Sequence, residues 1–290
     1  CNMYQQRRPS DRCSYYRPPF YAILIGDPHI TTLDNVSYTF NGLGEYTILE
    51  VFTNNVTSFT MQGRTGIASA NASANVTTKA TSFIAIVAQQ IGDYKVRTRI
   101  ANGFGRLHFD TNQVSLCFSG SSGLYSNGNI VIKTGLANVA AVFSSGISVN
   151  VSGTSGALNF ITLLPERFAS ANTQGLLGVF NNNPKDDFTF KNGTVLSFNG
   201  ADVPAEAKLY DFATTWKTAA NESLFTYNTS AGESWDTFNN NSFMPVFYED
   251  LINQTSPEQL ASVNVSCGGQ KDCIFDVLST GNTNFGLATQ

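Results

Sequence analysis

Charge is what this sequence has least of. Asp, Glu, Lys and Arg make up 13% of its 290 residues, about half the ~25% of an ordinary soluble chain. Asn, Ser, Thr and Gly stand in their place, and such small neutral residues suit strands and turns better than helices. The net charge of −4 and the pI near 5.2 leave no basic excess to neutralise phosphates, which excludes a nucleic-acid partner. Arg7, Arg8, Arg12 and Arg17 do gather near the start, but among prolines and tyrosines that make a loop rather than a phosphate groove. Long apolar runs are missing too, so no segment is predicted to span a membrane as a helix. A membrane anchor elsewhere in a parent protein stays open. The chain opens on Cys1 without a signal-peptide pattern and reads as a piece of something longer.

Catalytic signatures are equally scarce. Histidine is limited to His29 and His108, neither with a cysteine at zinc spacing. There is no G-x-S-x-G turn, no P-loop, and no G-x-G-x-x-G leading into a helix. The glycine pairs in "GRTG" (63–66) and "GFGR" (103–106) read as turns. Glu50, Asp93, Asp110 and Glu166 fall singly, so spacing supports no acid–base pair of the glycosidase kind. An enzyme such as a glycan hydrolase is the least supported function.

What is present points outside the cytosol and toward β-structure. Cysteines occur at 1, 13, 117, 267 and 273. Cys267 and Cys273 enclose "GGQKD", a loop short enough to close as a disulfide, and the odd count leaves one cysteine needing another partner. N-x-S/T sequons start at Asn35, Asn55, Asn71, Asn75, Asn150, Asn192, Asn221, Asn228, Asn240, Asn253 and Asn264, a density expected of a secreted glycoprotein. Residues 1–19 look like the tail of a disulfide-stapled module. From 20 to 218, short strands such as "EYTILEVF", "TSFIAIVAQQ" and "GNIVIKTG" follow one another with Gly, Asn and Ser between them. The expectation is an all-β, antiparallel β-sandwich. "FTFKNGTVLSF" reads as a hairpin with a type I′ turn at Asn192-Gly193. Residues 219–290 form a small, partly helical extension. In it, Ser256 is placed to cap a helix whose first residue is Pro257, with Gln259 completing a capping box.

Two runs carry chemistry. "GDPHITTLDN" (26–35) contains Asp27-Pro28-His29. An aspartate can attack its own backbone carbonyl, a tertiary amide nitrogen leaves readily once protonated, and a neighbouring imidazole can supply the proton. The dipeptide is equally a common turn. "GLLGVFNNNPKDDF" (175–188) offers oxygens from Asn181, Asn183, Asp186 and Asp187. Calcium takes six to eight such oxygens and tolerates irregular geometry; the same residues also make ion-free Asx turns.

Together the two runs, with the strand pattern between them, resemble the von Willebrand factor type D (VWD) family, and residues 1–19 are similar to the end of an AMOP module. The resemblance covers nearly the whole chain. It implies a β-sandwich with a calcium site in which Asp34 of "TLDN" meets Asn181, Asn183 (through its backbone carbonyl), Asp186 and Asp187. It also implies a scission point between Asp27 and Pro28. Secreted members carry "GLCGN" where this chain has "GLLGV", so Leu177 replaces a disulfide cysteine and Val179 an Asn ligand, implying a sparser calcium shell and no disulfide-linked multimers. The function implied is a non-enzymatic extracellular module for adhesion, surface coating or assembly, with other extracellular proteins or copies of itself as partners. The alternative is a subunit of an extracellular filament or coat.

Overall fold

The computed structural model describes residues 18–26, 28–68, 79–91, 95–99, 107–111, 114–118, 123–126, 130–135, 138–154, 157–170, 172–198 and 203–287, with backbone only for 95–99, 107–111, 114–118, 125, 134 and 154. Among the described residues fifteen strands are present: β1 Phe20–Ile25, β2 His29–Thr31, β3 Ser37–Thr39, β4 Glu45–Thr53, β5 Val56–Ile67, β6 Thr81–Gln90, β7 Lys95–Arg99, β8 Leu107–Thr111, β9 Val114–Phe118, β10 Gly123–Ser126, β11 Ile130–Thr134, β12 Asn138–Phe143, β13 Ser148–Thr154, β14 Ala157–Leu164 and β15 Thr173–Gln174. All pair antiparallel. One sheet runs β10-β11-β12-β13-β14-β1-β2-β3, a second runs β15-β4-β5-β6-β7, and β8-β9 form a separate ribbon. The sandwich expected from the strand pattern is the observed architecture. His108 lies in β8, opposite Cys117 of β9.

The two large sheets face each other through alternate residues of each strand. Leu24, Phe160 and Leu164 of the first sheet and Ile48, Met61 and Phe83 of the second are buried together. Edge-to-face ring pairs join the layers, Phe83 with Phe160 at 5.0 Å and Phe59 with Phe143 at 5.1 Å, the geometry that aromatic quadrupoles favour. The β4–β5 hairpin turns on Asn54 and Asn55, both at positive φ (52° and 61°). It therefore has the type I′ geometry that the sequence suggested for Asn192-Gly193. There only Gly193 has positive φ, 87°, and the ladder shrinks to one bridge, Thr189 with Val195.

"GRTG" is a correction. It is no turn but the middle of β5. Gly63 is there because a Cβ would lie 2.6 Å from the Phe83 ring, and Arg64 is 1% exposed. Its guanidinium donates to Glu45 Oε1 from Nε (2.9 Å) and Nη2 (2.7 Å). Glu45 Oε2 accepts from Ser223 Oγ (2.7 Å) and the Tyr227 hydroxyl (2.9 Å). The guanidinium also stacks against the rings of Phe225 and Phe238 at 4.4 and 3.7 Å. A buried ion pair is tolerated when its remaining hydrogen-bonding capacity is filled, and here residues 222–239 fill it. The segment after the sandwich is thereby fastened to the second sheet.

The described residues also form six α-helices: α1 Glu206–Thr214, α2 Trp235–Phe238, α3 Tyr248–Gln254, α4 Pro257–Ser266, α5 Lys271–Thr280 and α6 Thr283–Leu287. Ser256 Oγ accepts from the Gln259 amide (3.2 Å) and Pro257 opens α4, as predicted, but the return bond that would complete the expected capping box is absent among the described residues. The Cys267–Cys273 disulfide ties the end of α4 to α5. Gly268 and Gly269 make the turn between them at φ 59° and 81°. α6 docks on the sandwich through Phe285, packed with Ala68, Ala80 and Ala157.

Candidate functional site

Asp34 sits in the turn joining β2 to β3. Thr32 closes that turn: its amide donates to Val36 O and its hydroxyl accepts from the Val36 amide, both at 2.9 Å. Asn35 takes the left-handed position, φ 65°, which asparagine tolerates. The Leu33 amide then donates to Leu177 O (3.2 Å) and the Tyr38 hydroxyl to Leu176 O (2.7 Å). These bonds bring the loop at 175–188 against the turn. Leu176, Leu177, Phe180 and Phe188 anchor that loop in the core. Leu177 is wholly buried, so apolar packing holds this part of the loop.

Four of the residues singled out from sequence meet here. Asp34 Oδ2 accepts from the backbone amides of Asn181 (3.2 Å) and Asn183 (2.8 Å). Asp186 Oδ2 accepts from both side-chain amides, Asn181 Nδ2 and Asn183 Nδ2, each at 2.9 Å. The second oxygen of each carboxylate, Asp34 Oδ1 and Asp186 Oδ1, is buried and accepts no hydrogen bond among the described residues. Buried carboxylate oxygens without a donor are costly, and a cation is a partner that would remove that cost.

Asp187 stands apart from this set. It is 1% exposed; its Oδ2 accepts from Thr32 Oγ1 (2.6 Å) and its Oδ1 from the Val179 amide (3.0 Å). Burial, with the charges of Asp34 and Asp186 adding to it, pushes its pKa up to about 7, against the Thr32 and Val179 hydrogen bonds. Gly178 keeps φ at 80° and has no room for a side chain beside Asp187. No three His, Cys, Asp or Glu side chains converge among the described residues. The available donors are carboxylate, amide and backbone oxygens, which fit calcium better than a transition metal.

The other half of the opening run lies elsewhere. Asp27 is outside the described residues. Pro28 is buried and its carbonyl accepts from the Phe40 amide (2.9 Å). His29 points away from the calcium-type loop. Its Nε2 donates to Asp276 Oδ1 of α5 (3.1 Å), and its Nδ1 bonds Thr39 Oγ1 (3.0 Å) and lies 3.4 Å from Asp272 Oδ1. Burial opposes the imidazolium, but the hydrogen bond and charge of Asp276, then the charges of Asp272 and Glu206, raise its pKa above the ordinary value. Nothing local in "GDPH" announces a partner 247 residues away.

Comparison with known proteins decides the family. The model of the von Willebrand factor type D domain matches residues 22–194, spanning both runs and the strands between them. The chain belongs to the VWD domain family. A second model, the Mucin-4-like C8-3 domain, matches residues 253–290, so α4 to α6 are a C8-3-like unit stapled by Cys267–Cys273. The VWD chain is 35% identical to human Sushi domain-containing protein 2 over 100% of its own length and 34% of that protein. It is 35% identical to human Mucin-4 over 100% of its length and 5% of that protein. It is 27% identical to Protein mesh of Bombyx mori over 86% of the chain and 16% of that protein. The chain thus spans about a third or less of each of these relatives.

Among the sequons, Asn35, Asn55, Asn192, Asn221, Asn228, Asn240, Asn253 and Asn264 are exposed, Asn150 is half-buried in β13, and Asn71 and Asn75 lie outside the described residues. Cys1 and Cys13 lie outside them as well. In several sequons the third residue bonds the first: Ser230 Oγ donates to Asn228 Oδ1 (2.6 Å), Ser242 Oγ to Asn240 Oδ1 (2.8 Å) and the Thr194 amide to Asn192 Oδ1 (3.0 Å).

Proposed function

We propose that this VWD domain is a non-enzymatic, calcium-stabilised and N-glycosylated extracellular module of a cell-surface or matrix protein, serving adhesion, surface coating or assembly. The observation that carries the calcium reading is the pair of buried oxygens, Asp34 Oδ1 and Asp186 Oδ1, that have no hydrogen-bond partner among the described residues. Asp34 and Asp186 would supply the carboxylates, with oxygens of Asn181 and Asn183 beside them. Asp187, engaged by Thr32 and Val179, braces the loop from inside. Bound calcium would neutralise the repulsion among these carboxylates and join the β2–β3 turn to the 175–188 loop. Exposed sequons and the Cys267–Cys273 disulfide support an oxidising, extracellular setting. Thermal melts in calcium and in EDTA test the ion: a higher melting temperature in calcium is expected, and coincident melts would overturn it.

Self-scission between Asp27 and Pro28 belongs to the same proposal. A deglycosylated, denatured chain should show a new N-terminus at Pro28, and a single full-length mass rules the scission out. One feature favours a coat or filament subunit as a second reading. The edge strand β10 carries Leu124 at 73% exposure, and such an edge can pair with a neighbouring chain. Light scattering at rising concentration separates the two, since a steady monomer argues against the coat.

A further inference from the structure

The eight-stranded sheet turns one face to the second sheet and the other outward. On β1 and β14 the inward residues Ala22, Leu24, Phe160 and Leu164 are buried in the core. The outward face of such an antiparallel sheet ordinarily carries polar residues. Here it carries an apolar stripe, Tyr21 paired across the strands with Leu163 and Ile23 with Ile161. Tyr21 is 51% exposed and Ile161 39%. Beside the stripe stands Asn150 of β13, opposite Ile161 on one side and Ala140 of β12 on the other. Asn150, Ile23 and Ile161 together line a hollow of about 570 Å³. Asn150 also opens the sequon Asn150-Val151-Ser152. Val151 is buried in the core, so strand alternation puts Asn150 and Ser152 on the outward face.

We propose that a glycan on Asn150 is the cover of this face: its first sugars lie over Ile161 and Ile23 and keep the stripe from stacking on another protein surface. This rests on the N-glycosylation reading above. Strands in a sheet are about 4.8 Å apart, so Ile161 adjoins Asn150 and Ile23 stands about 10 Å from it, within reach of the first sugar rings. A pyranose ring presents C–H groups on its faces and hydroxyls at its rim, so it can rest on apolar side chains while its rim stays hydrated. An apolar patch left bare marks an interaction or aggregation site, whereas a glycan is bulky and solubilising. A second copy seated on this face would have to displace the sugar, so it is the occupant that the glycan excludes. The transfer takes a lipid-linked oligosaccharide diphosphate as donor. Asn150 Nδ2 bonds to the anomeric carbon of the sugar, and the bond from that carbon to the diphosphate oxygen breaks. The electron pair leaves with the diphosphate, and Nδ2 gives up one proton. Transfer to the extended chain precedes the entry of β13 into the sheet, so the half-burial of Asn150 does not oppose it.

The test uses the whole chain, secreted from cells that glycosylate. Glycopeptide mass spectrometry should find sugar on Asn150 in the wild type and in S152T, and none in S152A, which keeps Asn150 itself. On the folded wild type, hydroxyl-radical labelling of Ile161 should rise severalfold once the glycans are removed enzymatically, a readout that needs no variant to fold. S152A should bind more of a hydrophobic dye and associate as its concentration rises in light scattering, and adding I161T should reverse both. A bare Asn150 beside occupied sequons elsewhere overturns the cover and leaves the glycoprotein reading standing. An occupied Asn150 with unchanged Ile161 labelling overturns it too, as does an S152A chain that stays monomeric with wild-type dye binding. A chain bare at every sequon removes the cover and the glycoprotein reading together.

Discussion

Single side chains divide the 175–188 loop into two tasks. Among the described residues Asp34 and Asp186 each keep one oxygen free of donors, whereas both oxygens of Asp187 are satisfied inside the protein. D34N and D186N should therefore erase the calcium-dependent rise in melting temperature with little change in EDTA. Asp187→Ala should destabilise in both media, since the Thr32 hydroxyl and Val179 amide lose their acceptor at ~1–3 kcal/mol. Scanning fluorimetry with and without calcium checks the pair of outcomes, and an equal response of all three variants would refute the division. Arg64 is the other residue with a large stake. Removing it in R64A strands the fully buried Glu45, for which roughly 3–5 kcal/mol is expected, read as a fall in the urea midpoint. A change below ~1 kcal/mol, typical of exposed pairs, would mean that Ser223 and Tyr227 suffice to satisfy Glu45.

Elements meet through a few such contacts. β2 is joined to α5 by His29, and this contact depends on pH. The folded pKa of His29 is raised above the ordinary 6.5. The stability it contributes is thus fully present below pH 6.5 and is lost as pH rises through the folded value. Wild-type protein should lose melting temperature on going from acidic to mildly alkaline buffer by an amount that H29Q does not show. Parallel curves for the two would count against the ion pair. At the start of α4, Ser256→Ala removes the acceptor of the Gln259 amide and should cost ~1 kcal/mol. That cost should fall on the C8-3-like unit, visible as faster amide exchange in α4 and α5 while the β4–β5 hairpin is unchanged.

At the scale of the whole molecule, the sandwich determines what a cut chain would do. β1 is bonded on one side to β14 over Phe20–Leu24 and on the other to β2 over Ile23–Ile25. Ala22 and Leu24 within it are fully buried. A break after residue 27 leaves that strand in the middle of an eight-stranded sheet, with its ladder and apolar burial intact. The two fragments should co-elute in native gel filtration and separate only in denaturant. Separation in native buffer would show that the β1 contacts are too weak to hold.

Much of this was readable from local pattern. Alternating strands with Asn- and Gly-rich turns specified an antiparallel sandwich, because side-chain direction alternates along a strand whatever lies opposite. Ser256-Pro257 and Cys267–Cys273 acted within a few residues, so their spacing sufficed. The meeting of "TLDN" with the Asn-rich loop came from resemblance to the VWD family, and the sheet order explains it. β2 and β3 close one edge of the large sheet, and the bonds of Leu33 and Tyr38 to 176–177 draw the loop over that edge. Only the tertiary structure decided the rest: that Arg64 is interior to a strand and paired with Glu45, that Asp187 turns inward, and that His29 answers to Asp276. These are choices between partners far apart in the chain. No period or motif encodes them, because which buried charge neutralises which depends on how sheets and helices stack, and stacking exists only once the chain has folded.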